Sequence, residues 1–308
     1  MALSDKVQNV ITALSGLGVD EKSLIDLGKW DEAERTSFRE NATDYFQKDE
    51  ERDLEHWREG VVKDLKRESL RFNNAVVWWT MHPWERDARL ADKAFKKKSY
   101  GILVEIACTR SSNELLGARK AYHSLFEHSL EEDVYSKVTT TERKLLVALV
   151  SAYRYEGAKV TEAEKDAKAL AGAIEKKKNL VEEEEVLRIL TTKSKPHLIE
   201  VYKQYHILSQ GKNLDEDIGD LILQETVQCL CAPQKYFASV LVKALQKDAD
   251  KSVKRALTRV IVTRADNNMK DIKEEFKNKG SDDLSSAVEK NTKGNYKDFL
   301  LALIDREK

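Results

Sequence analysis

The chain of 308 residues has little of what interrupts regular structure: 12 glycines and 3 prolines, together well below the usual share of roughly 12%. All three prolines, Pro83, Pro196 and Pro233, stand at the head of amphipathic runs ("HPWERDARLADKAF", "KPHLIEVYKQY", "APQKYFASVLVKAL"). A first-turn proline loses no hydrogen bond, so none of them breaks a helix. There are only three cysteines, Cys108, Cys229 and Cys231. An odd, scattered set excludes a disulfide framework and fits a reducing compartment, so the expected location is cytoplasmic. The opening "MALSDKVQNV" has neither the basic nor the apolar region of a secretory signal, and runs such as "LLVALV" are far short of the ~18 apolar residues that span a bilayer. Neither secretion by that route nor a membrane span is expected. Nor does one sign of charge dominate: 53 basic against 54 acidic residues leave a formal charge of −1. Nucleic acid is therefore not an expected partner, and an acidic membrane would need a local patch or a bridging cation.

What the chain does have is charge and repetition. Charged residues reach 35% beside 41% hydrophobic, the composition of helices with one solvated face around a core. Three segments share one frame: "IACTRSSNELLGARKAYHSLF", "RILTTKSKPHLIEVYKQYHIL" and "RVIVTRADNNMKDIKEEFKNK". In each a Thr, a basic residue and a small residue close an apolar run, at Thr109-Arg110-Ser111, Thr192-Lys193-Ser194 and Thr263-Arg264-Ala265. An aromatic follows twelve places after the basic residue: Tyr122, Tyr205 and Phe276. A fourth, weaker copy starts at Lys29 and has Asn41 near the aromatic place. Four units of about 70 to 80 residues then fill the chain. Each ends in a strongly apolar run ("FNNAVVWWTM", "ERKLLVALVSAYRY", "LQETVQCLCA", "NYKDFLLALIDR") that reads as the central helix of a bundle. "TTTE" (Thr139 to Glu142) and "TEAE" (Thr161 to Glu164) have capping-box spacing, and no strand pattern competes, so the expected class is all-α.

Catalytic and metal signatures are sparse. Cys229-x-Cys231 lacks the second pair or histidine of a tetrahedral site and reads as a buried helical pair. The six histidines form no H-E-x-x-H or Ser/His/Asp pattern, "GKN" at Gly211 lacks the glycine frame of a phosphate loop, and "DADKSV" at Asp248 is no EF-hand. No enzyme is expected. The lysine runs 96–98 and 176–178 and the glutamates 182–185 read as solvated faces, the lysines with the option of touching anionic headgroups. Gly16 and Gly18 in "ALSGLGVDEKSL" read, on their own, as a turn before a helix that Asp20 or Glu21 helps to start.

The four-fold helical repeat, "GLGVDE" in the first loop, and the strings "IACTRS", "ARKAYHSLFEHSLEEDV", "RKLLVALVSAYRYEG" and "HPWERDA" together resemble the annexins, and most closely plant annexins, over essentially the whole chain. The resemblance implies four annexin-type repeats of about five helices, arranged as a slightly curved disc, with borders expected at 1–87, 88–159, 160–246 and 247–308. It also implies calcium as cofactor and acidic phospholipid membranes as partner. By the family pattern the metal ligands are the carbonyls of Leu14, Gly16 and Gly18 and the carboxylate of Glu68, with Leu17 at the loop tip as the membrane contact. Calcium takes six to eight oxygens, so such a site leaves positions open to lipid phosphate. Val19, a longer spacing and a shortened second loop depart from the pattern. Repeats two to four look degraded: threonines replace the carboxylate in "SKVTTTE", Glu216 is available as an acid but has no glycine pair to shape a loop, and Asn291 and Asn295 replace acids. Cys108 and Cys229 fall where plant annexins carry cysteines linked to redox chemistry. The expected function is calcium-dependent peripheral membrane binding in calcium and stress signalling. The alternative is a calcium-independent helical scaffold for proteins such as actin, or for membranes through basic surface.

Overall fold

The structure is a computed structural model that describes residues 5, 9–10, 21–62, 71–158, 160–176, 179–280 and 282–306. In chain order the first repeat contains α1 (Glu21–Asp26), a 3-10 turn (Leu27–Lys29), α2 (Glu32–Asn41), strands β1 (Phe46–Asp49) and β2 (Leu54–Trp57), and α3 (Phe72–Thr80). The second contains α4 (Pro83–Lys97), α5 (Gly101–Thr109), α6 (Ser112–Phe126), α7 (Leu130–Lys137) and α8 (Arg143–Val150). The third contains α9 (Ala163–Glu175), α10 (Glu184–Thr192), α11 (Lys195–Leu208), α12 (Leu214–Asp217) and α13 (Leu221–Cys231). The fourth contains α14 (Pro233–Ala244), α15 (Lys251–Arg264), α16 (Met269–Asn278), α17 (Leu284–Asn291) and α18 (Gly294–Ile304). The expected border at 87/88 falls inside α4, and that at 246/247 falls just after α14.

The four apolar runs are the helices α3, α8, α13 and α18, and each is largely buried. Fully burying a Leu or Phe of this kind contributes about 1.5–3 kcal/mol. The chain divides into two compact units, Met1–Pro83 with Phe237–Lys308, and Trp84–Tyr236. Repeats one and four thus share the first unit, and two and three the second. In the first unit α18 runs beside α1, α3 and α15. A Cβ on Gly28 would sit 3.1 Å from the Ala302 Cβ, so glycine permits that approach. In the second unit α5 packs along α13 and α9 along α11. A Cβ added at Gly101 would lie 2.3 Å from a Glu225 carboxylate oxygen, the far end of a side chain that can swing aside.

Two local expectations are corrected. β1 and β2 form an antiparallel hairpin, Phe46 opposite Trp57 and Asp49 opposite Leu54, where no strand was expected. Phe46, Leu54 and Trp57 are buried, and Phe46 joins Phe38 and Trp57 at centroid distances of 5.3 and 4.4 Å. This aromatic root anchors the hairpin while its charged tip stays outside. The capping boxes expected at Thr139 and Thr161 do not form. α8 starts only at Arg143 with no side-chain cap, and α9 is preceded by Glu162 at φ 59°. The boxes that do form are Asp31 with Glu34, Ser111 with Glu114 and Asn213 with Glu216.

Candidate functional site

Leu14, Gly16, Leu17, Gly18 and Glu68 all lie outside the described residues. What the structure shows is the helices on either side: α1 begins at Glu21, and α3 begins at Phe72, whose ring meets Phe299 edge-on at 5.8 Å. The corresponding loops of the other repeats are described except for residues 177–178, and several of their polar groups already have partners.

In repeat two the link from α4 to α5 is a tight turn with Lys98 at φ 52°. The Lys98 and Ser99 amides donate to Phe95 O and Ala94 O and close α4. Near the acid position of its second loop stands Lys137, which binds Asp133 at 2.6 Å. In repeat three Glu216, expected as an available acid, is already engaged. Both of its oxygens accept from Asn213, one from the amide N–H at 3.1 Å and one from the side-chain Nδ2 at 2.9 Å. Next to it Asp220 caps α13 through the Leu223 N–H at 2.9 Å. In repeat four Asn291 donates back to Ala287 O at 2.8 Å. Asp250 caps α15 through the amides of Ser252 and Val253. Among the described residues no three His, Cys, Asp or Glu side chains cluster to hold a cation.

The repeated Thr–basic–small frame has a clear physical role in the second unit. Thr109 and Thr192 donate to the carbonyls of Glu105 and Arg188 in their own helices. Arg110 then forms a two-pronged ion pair with Asp87 at 2.7 and 2.8 Å, both side chains buried. Lys193 reaches Asp166 at 3.2 Å. Ser111 and Ser194 cap α6 and α11. The aromatic twelve places on is a tyrosine that donates to a carboxylate on the next helix: Tyr122 to Asp133 at 2.5 Å, Tyr205 to Asp217 at 2.9 Å. Asp166 also accepts from His197 Nε2 at 2.8 Å and meets Arg188 at 3.2 Å. Burial pushes the Asp166 pKa up, but the hydrogen bonds from His197, Lys193 and Arg188 outweigh it and hold the carboxyl below its ordinary value. The His197–Asp166 pair therefore ties α9 to α11.

Cys108 is fully buried and its thiol is pushed up to about 11 by burial, against the pull of Arg154 and Lys195. Cys231 is raised by burial too, and the nearby charges of Asp215 and Cys108 add to the rise. Its thiol donates weakly to Leu198 O at 3.5 Å. Thiols held this high carry little thiolate near neutral pH.

An annexin family model matches residues 86–149 and 236–303. Annexin D4 of Arabidopsis thaliana is 48% identical over 317 residues, covering 99% of both chains. The chain belongs to the annexin family. Among solved structures, annexin III superposes with a TM-score of 0.83 at 26% identity, covering 100% of this chain and 95% of that one. Calcium-bound annexin (Sm)1 superposes at 0.78 with 19% identity over 99% and 90%, a likeness of fold. No helix among the described residues of this annexin is long and apolar enough to cross a membrane.

Proposed function

We propose that this annexin binds acidic phospholipid surfaces through a calcium bridge made by its first repeat. The carbonyls of Leu14, Gly16 and Gly18 and the Glu68 carboxylate hold the ion. Lipid phosphate completes its shell, and Leu17 touches the bilayer. A carboxylate count of one suits the weak end of calcium sites. The observation that carries this reading is a contrast within one annexin: the corresponding places in repeats two to four are threonines beside a paired lysine, a capping glutamate and an amide turned onto its own helix. The glycine loop of repeat one has none of these substitutes. The protein on this reading is a binder and not an enzyme. It works on the cytoplasmic side, joining membranes when calcium rises, in calcium and stress signalling.

Co-sedimentation with phosphatidylserine vesicles tests it, with calcium or chelator, on the native chain and Glu68→Gln. Binding that needs calcium and is lost in the variant is the expected result. The same lysine and amide substitutions favour a second reading, a calcium-independent scaffold for actin or for membranes through basic surface. Binding that persists in chelator and in Glu68→Gln establishes that one instead.

A further inference from the structure

A cleft of ≈ 380 Å³ opens where the start of α6, the segment 152–156 and the start of α11 meet. Its volume is at the small end of ligand pockets, roughly 300–1,000 Å³. Arg110, Arg154 and Lys195 all line it, and they differ in how their charge is met. Arg110 is neutralised by Asp87. Arg154 is 6% exposed and gives Nη1 to Lys193 O at 2.8 Å and Nη2 to Leu190 O at 2.5 Å. Its Nε has no acceptor, and among the described residues no carboxylate pairs with it. Lys195 uses one N–H on Arg110 O at 2.6 Å.

A buried cation without a counter-ion is costly. The carbonyls at the C-terminus of α10 offset part of that cost through the helix dipole. Two carboxylates line the cleft: Glu114, which accepts from the Ser111 N–H in the α6 capping box, and Glu156, on an exposed stretch of chain. Its Oε1 accepts from the Ser112 N–H at 2.6 Å, in the first turn of the 15-residue helix α6. Glu156 thus seats an oxyanion of the chain's own at a helix N-terminus, with a buried, carboxylate-free arginine and a lysine in the same cleft. A carboxylate on an exposed segment is easily displaced by an anion of higher charge.

We propose that this cleft binds a phosphate monoester, whose oxygens take the Ser112 N–H from Glu156 and are held by Lys195 and Arg154. The proposal does not involve calcium or Glu68, so its outcome is independent of the membrane-bridging reading.

Calorimetric titration of the full chain with inorganic phosphate, in chelator, tests it. Saturable one-to-one binding is expected. Glu156→Gln removes the competitor and tightens binding about three- to tenfold, whereas Lys195→Gln loosens it by a similar factor. Thermal melts of each variant establish that the fold is intact. No saturable heat in either the native chain or Glu156→Gln overturns the site, as does a loss of affinity in Glu156→Gln or an unchanged one in Lys195→Gln. Co-sedimentation of Glu156→Gln with phosphatidic acid vesicles in chelator, lost in Lys195→Gln, makes the monoester a lipid headgroup. Phosphate binding without co-sedimentation makes it a soluble one.

Discussion

The two units carry the same repeat frame and stabilise it with different chemistry. In the unit of repeats two and three, each basic residue at the frame's centre meets a carboxylate on the first helix of its repeat: Arg110 with Asp87, Lys193 with Asp166. In the unit of repeats one and four the surroundings differ. Arg264 stands over the Phe237 ring at 5.0 Å, and Lys29 makes a solvent-exposed pair with Asp26 in place of a buried one. The carboxylate there is Asp266, paired with Arg35 and with Arg306. Both of those guanidiniums lie over Trp79, at 3.8 and 4.9 Å from the ring. The aromatic place holds Phe276, which has no hydroxyl to donate. The lesson is that helical periodicity outlasts the polar partner: a cation can be held by a carboxylate or by an aromatic face, and the bundle keeps its shape either way.

The comparison breaks most visibly at Asp87. Asp87→Ala leaves Arg110 buried without its partner and costs about 3–5 kcal/mol, which urea unfolding monitored by circular dichroism will register. Smaller is Tyr122→Phe, which removes one bond to a charged acceptor and costs about 1.5–3 kcal/mol by the same measurement. The matching Phe276→Tyr in the other unit gains no such bond. Ser111→Ala removes the cap of α6 and costs about 1 kcal/mol.

Acid sharpens the contrast further. Asp133 and Asp166 both have pKa values lowered in the fold, where burial raises them but hydrogen bonds from Lys137 and Tyr122, or from His197 and Lys193, outweigh it. A lowered carboxylate pKa adds stability that is fully present above the unfolded value and lost as pH falls through the folded one. Urea midpoints should therefore fall as pH drops below the ordinary carboxylate range, and Asp166→Asn should flatten that fall. The smallest effect belongs to the hairpin. Asp53 sits at φ 50°, a left-handed conformation that glycine adopts without strain, so Asp53→Gly should raise stability by about 0.5 kcal/mol.

The helices, the four-fold frame and the family were legible before any coordinates, because each rests on short spacings along the chain. The hairpin was not. Phe46, Leu54 and Trp57 fit one face of a 3.6-residue helix as well as they fit a hairpin root, and only their packing on Phe38 decides between the two. Caps were half legible. The S/T-x-x-E pattern picks out Thr139 and Thr161 as readily as Ser111, but the helix must begin at that residue for the cap to form. Glu216 looked like a spare ligand because the sequence does not reveal that Asn213 would claim both its oxygens.

By itself, then, the sequence determined the class of structure and the repeat, since hydrophobic period and proline placement act within a few residues. Tertiary structure alone decided which charges meet. Asp87 and Arg110, or Arg154 and the α10 carbonyls, are 23 and more than 35 residues apart. A pairing at that distance depends on how helices pack, and the burial that makes it strong exists only after they have packed.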